Sequence, residues 1–174
     1  MFNRKNNVLL VMTLLIALGT ASAASAGGSI FVGANFPTGG FTDAAKTGFT
    51  AGGYYVADLM PIVDLGGLVA YNDFSTKLGD VPELGDAFGS SLNAWEIHAL
   101  GQLKFLMLKG FLGLGFANYS GLDENLESSR QTDFSWQMGL AANIAILEAR
   151  LGYHQIPVDG GSINWMKLTV GLTF

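Results

Sequence analysis

Cysteine is absent from this 174-residue chain, which removes disulfide staples, thiolate metal sites and cysteine nucleophiles together. Charge is scarce at 13%, and there are only 4 prolines, against 49% hydrophobic residues and 24 glycines. That balance does not suit a protein whose whole surface meets water, so part of this one must be solvated by something apolar. Long hydrophobic runs are also missing beyond the first residues. The best internal stretch, Leu103 to Ala117, is interrupted by Lys104, Lys109 and three glycines, which argues against a transmembrane helix there. The only two histidines, His98 and His154, make no credible zinc site by themselves.

What is present begins with an export pattern. Asn3-Arg4-Lys5 supplies a positive start, Val8 to Leu18 an apolar core, and Ala24-Ser25-Ala26 a small-residue cleavage site. The expectation is a cleaved signal peptide over residues 1–26 and one mature domain over 27–174, with Ala21-Ser22-Ala23 as the alternative cleavage site. An eleven-residue core is short for a retained membrane anchor.

Period-two alternation of apolar residues then marks eight segments of strand length: Ser29–Phe36, Thr47–Ala57, Ile62–Asn72, Leu92–Phe105, Phe111–Tyr119, Asp133–Ile144, Glu148–Gln155 and Ser162–Phe174. Several match the roughly 9–11 residues that a tilted strand needs to cross a bilayer. Their connections alternate between long and short, as in outer-membrane barrels with long outer loops and short periplasmic turns.

Parity assigns two faces. Met166, Leu168, Val170, Leu172 and Phe174 share one side of the last segment, and Leu140, Trp95, Val69 and Leu151 belong to the same face elsewhere. The opposite face carries ionisable and amide side chains in mid-strand. A soluble sandwich would turn its apolar face inward, whereas a membrane barrel turns it toward lipid. The apolar face is free of charge and carries aromatics near both ends: Phe36, Phe49, Tyr71, Trp95, Phe134 and Tyr153 toward the long loops, and Tyr55, Phe105 and Phe174 toward the short turns. Two such rings suit two headgroup regions, so the fold class expected is an all-β, eight-stranded antiparallel up-and-down transmembrane barrel. Phe31, Phe111, Tyr119 and Trp165 point inward by parity, which implies a bulge, a shifted boundary or packing in the lumen.

Across the mature chain this pattern resembles the small OmpA/OmpX-like outer-membrane barrels. The ending Lys167-Leu168-Thr169-Val170-Gly171-Leu172-Thr173-Phe174 is similar to the C-terminal signal read by barrel-insertion machinery, with Lys167, Leu172 and Phe174 at its recognisable positions; Thr169 departs from the glycine usual there. Gly33 to Gly39 followed by Asp43 to Gly48 looks like a first hairpin of that family. The resemblance implies a fold and a location, with outer-membrane lipid, lipopolysaccharide and the insertion machinery as partners.

Eight strands enclose an interior that side chains can fill, so a general diffusion porin is not expected. The inward set comprises Asp64, Glu96, His98, Gln102, Lys104, Gln137, Asn143, Glu148, Arg150, His154 and Lys167. Three acids meet three bases, and buried charge is tolerable only when paired. The expectation is therefore a structural polar network plugging the lumen of a monomeric barrel.

Cleavage would remove Arg4 and Lys5 and leave seven basic residues against 14 acidic ones. With Asp58 expected to offset Lys109 at the turns, the excess falls on the outer loops and rims: Asp43, Asp73, Asp80, Glu83, Asp86, Asp123, Glu124, Glu127, Asp133 and Asp159 against Lys46, Lys77 and Arg130. An acidic exterior disfavours nucleic acid. The two largest loops, Asp73–Ser91 and Ser120–Thr132, are where a surface ligand would bind.

The sequence implies no catalytic residue, cofactor or metal. Some barrels of this kind modify lipid A, but Leu100 and Ile156 stand two positions after the histidines, so the His-x-Ser arrangement of the deacylase barrels is absent. His154 with Ser162 and Asp159 remains the open alternative for a hydrolytic site.

Overall fold

The computed structural model describes residues 26–43, 45–75, 91–122, 128–158 and 161–174. Residues 1–25 of the expected leader and much of the two largest loops lie outside the described residues, with Lys77, Asp80, Glu83, Asp86, Asp123, Glu124, Glu127 and Asp159, while Ala26, the last residue of that leader, opens the first strand.

Eight strands form: β1 (Ala26–Thr38), β2 (Gly48–Met60), β3 (Val63–Ser75), β4 (Ser91–Phe105), β5 (Leu108–Leu122), β6 (Ser128–Ile144), β7 (Leu147–Val158) and β8 (Gly161–Thr173). Each pairs antiparallel with its neighbour in sequence, and β1 pairs with β8 to close the barrel. No edge is left, so every strand has both backbone rows paired, which a sheet in hydrocarbon requires. All eight expected segments are strands. Most run further than the alternation indicated, most visibly β6, which begins five residues before the expected Asp133.

Three two-residue turns, Pro61-Ile62, Leu106-Met107 and Ala145-Ile146, define one end of the barrel. Leu106 and Ala145 both take φ 54°, a left-handed conformation that costs a side chain about 1–2 kcal/mol relative to glycine. The longer connections gather at the other end, where a 3₁₀ helix (Gly39–Asp43) folds Phe41 into the barrel mouth.

The pleat separates the faces as parity predicts. Leu140, Leu168, Val170 and Leu172 are outward and exposed, while Glu96, His98, Gln137 and Lys167 are buried. Between the loop-side aromatics and the turns, no outward-facing residue is charged. Outward rings touch in a belt on the loop side: Tyr71 lies 5.8 Å from Phe49 and 5.0 Å from Trp95, and Trp136 lies 5.7 Å from Tyr153.

Phe31, Phe111, Tyr119 and Trp165 are buried inside the barrel, so lumen packing accounts for their parity. Glycine makes the room. Phe111 stands over the cross-strand pair Gly139↔Gly152; a Cβ on Gly139 would lie 2.6 Å from the Phe111 ring and one on Gly152 3.1 Å from it. The inward apolar residues form two layers. One joins Phe31, Tyr54, Leu68, Leu100 and Phe111, and the other, at the loop-side mouth, joins Phe41, Phe74, Tyr119, Ile156 and Trp165.

Candidate functional site

The polar interior is built from alternate positions of all eight strands, because parity puts every second side chain of a closed sheet into one small space. Its centre is Glu96 on β4, which is completely buried. Lys167 on β8 donates to Oε2 of Glu96 at 2.9 Å, His154 Nδ1 on β7 lies 3.2 Å from Oε1, and Asn72 on β3 donates to Oε2 at 2.9 Å. Asn35 on β1 donates in turn to Asn72 Oδ1 at 3.2 Å. This one carboxylate thus ties five strands across the lumen. The His154 ring stacks on Trp165 at 5.3 Å, which joins the network to the apolar layer above it.

Beside it, His98 Nε2 lies 2.7 Å from Ser135 Oγ, and its Nδ1 lies 2.7 Å from the Gln137 amide nitrogen. With an amide as its second partner, the imidazole lacks the carboxylate that orients the base of a hydrolytic triad. All three side chains are buried.

Two further groups occupy the turn-side half. Lys104 bridges Asp64 at 2.7 Å and Asp58 at 2.8 Å. Glu148 accepts from the Tyr54 hydroxyl at 2.7 Å and from Lys109 at 3.2 Å, with Arg150 at 3.6 Å. The Arg150 guanidinium is held mainly by rings, 4.5 Å from the Tyr54 centroid and 4.1 Å from that of Phe111, an arrangement favourable for a desolvated cation. Among the pockets, one interior cavity of ≈ 10 Å³ lies between Arg150, Lys167, His154, Gln137 and Phe31, room for about one water.

The structure therefore brings Glu96, His154 and Lys167 together, and separately His98 with Gln137, Asp64 with Lys104, and Glu148 with Arg150. Gln102 is buried on the same face, and Asn143 sits at the turn end opposite Glu148. Asp58 and Lys109, whose charges cancel in the count at the turns, take different partners: Asp58 binds Lys104, and Lys109 reaches Glu148. His154 does not meet Ser162, whose hydroxyl accepts from Asn164, and Asp159 is outside the described residues. Of the C-terminal triplet, Leu172 and Phe174 are outward, while Lys167 is buried against Glu96. Asn72 and Ser135, which parity puts on the inward face, join the network, and Asn35 and Tyr54 join it without having been singled out. Their partners lie on strands distant in sequence, and parity reports a face but not the position around the barrel. No group of three or more His, Cys, Asp or Glu that could hold a metal occurs among the described residues.

No protein-family model matches the chain, and no curated protein sequence does. Solved structures do match. The crystal structure of Ail, the attachment invasion locus protein of Yersinia pestis, is similar with TM-score 0.55 at 15% identity over 86% of this chain and 99% of that one. The backbone structure of the same outer-membrane protein in a phospholipid bilayer nanodisc gives TM-score 0.56 at 15% identity over 86% and 100%. Neisserial surface protein A gives 0.50 at 15% identity over 85% and 94%.

Proposed function

We propose that this chain, which has the fold of the small eight-stranded outer-membrane barrels, is exported behind a leader at residues 1–26 and resides in the bacterial outer membrane as a non-enzymatic surface protein. Its barrel is the anchor, its lumen is plugged by side chains, and its outer loops meet an exterior ligand. One observation carries the reading: solvation is reversed, with Glu96, Lys167, Glu148 and Arg150 inside and Leu140, Leu168 and Leu172 outside. That arrangement is stable only where the surrounding medium is hydrocarbon.

The ionic bridges and the two apolar layers leave little internal space, which supports a closed lumen over a pore. Adhesion, envelope integrity or ligand binding then falls to the loops. Ail has been solved with the heparin analogue sucrose octasulfate. In the present chain the loops and rims hold the acidic excess, so the ligand we propose is cationic or uncharged.

Carbonate-washed outer membranes should retain the protein, and electrophoresis should show a faster band before boiling than after. Recovery of a folded monomer in buffer without detergent overturns the reading. The contact of His98 with Ser135 raises lipid A deacylation as a second reading, but both side chains are enclosed. Lipid A composition should therefore be the same with and without the protein, and a shortened acyl pattern would establish the enzyme instead.

A further inference from the structure

Short turns on the periplasmic side of a membrane barrel meet water, and polar residues would suit them. Here they are apolar. Met60 precedes the first turn and Ile62 lies in it, Leu106 and Met107 form the second, and Ile146 lies in the third; all five are well exposed. The rim they make is continuous with the outward belt through Phe105, Leu108, Ile144 and Leu147, also exposed. Strand length shows where this rim lies. From Trp95 in the loop-side ring to Phe105, β4 advances ten residues. At about 3.3 Å per residue and a tilt of about 40°, that is roughly 25 Å along the barrel axis, the whole height of an apolar belt. The turn tips thus begin where the hydrocarbon ends.

We infer that the turn-side rim is itself a lipid-docking surface: Met60, Ile62, Leu106, Met107 and Ile146 insert among the phospholipids of the inner leaflet, so this end of the barrel stops at the membrane plane. The inference rests on the membrane-barrel reading above. Its partner is phospholipid because the rim extends a surface already turned to acyl chains, and among the described residues no strand projects beyond it into an aqueous layer. The ionic groups around Lys104 and Glu148 then close the lumen at headgroup depth.

The absence of cysteine makes the test direct. Met107→Cys and Ile146→Cys are each labelled with an environment-sensitive fluorophore in full-length mature protein, folded into vesicles of phosphatidylethanolamine and phosphatidylglycerol. Leu140→Cys reports mid-belt, and Gly40→Cys, where an added Cβ meets nothing within 4 Å, reports the aqueous loop side. The rim labels should resist iodide several-fold better than the Gly40 label and be quenched by lipids carrying a nitroxide near the headgroup. Iodide access at both rim positions equal to that at Gly40, with Leu140 protected, overturns the inference and leaves the rim to a protein partner. Iodide access at Leu140 as well overturns the membrane reading itself.

Discussion

Glu96 is the centre of the largest buried network described, since Lys167, His154 and Asn72 all converge on its carboxylate and Asn35 binds Asn72 in turn. Glu96→Gln would strand a buried ammonium, which should cost about 3–5 kcal/mol. Glu96→Gln combined with Lys167→Met removes both charges and should recover much of that loss. Chemical unfolding in lipid vesicles, read as a double-mutant cycle, checks the coupling; additive losses would show that the pair is not an energetic unit. The turns offer the opposite sign. Ala145→Gly relieves a left-handed φ at an exposed site and should raise stability by about 1 kcal/mol. Leu106→Gly relieves the same backbone but gives up a side chain that the proposed rim inserts among lipids, so it should bring no gain. Equal gains at both positions would contradict the placement of the second turn in lipid.

At the level of strands, face was legible from sequence and extent was not. Leu140 and Leu168 fall on the outward face that alternation assigned, and replacing either with Arg should cost roughly 2–4 kcal/mol near the bilayer midplane. Equilibrium folding into vesicles measures this, and a negligible change would refute the facing. The ends were hidden because beyond the apolar belt both faces of a strand meet polar surroundings. Alternation fades there while the ladder continues, as in β6 from Ser128 to Asp133, which still pairs with β5. The inward Phe111 was ambiguous for a different reason: its socket is a glycine pair on β6 and β7, and only the register aligns them. Gly152→Val should therefore crowd Phe111 and cost about 1–3 kcal/mol. Adding Phe111→Ala should relieve part of that penalty.

For the molecule as a whole, composition and alternation sufficed for the architecture because a closed barrel with reversed solvation leaves its mark on every strand. The candidate interior was legible as a set but not as pairs. Lys109 and Asp58 cancel in the charge count near the turns, but that count names no partners: the fold carries Lys109 to Glu148, 39 residues away, and Lys104 to Asp58, 46 residues away. Closure has another consequence. Because β1 hydrogen-bonds to β8 from Ser29↔Thr173 to Thr38↔Asn164, the first strand to leave a ribosome waits for the last before its outer row of amides is satisfied. Any shorter piece leaves that border unpaired, so the ring of hydrogen bonds can be completed only when both ends of the sequence are present together.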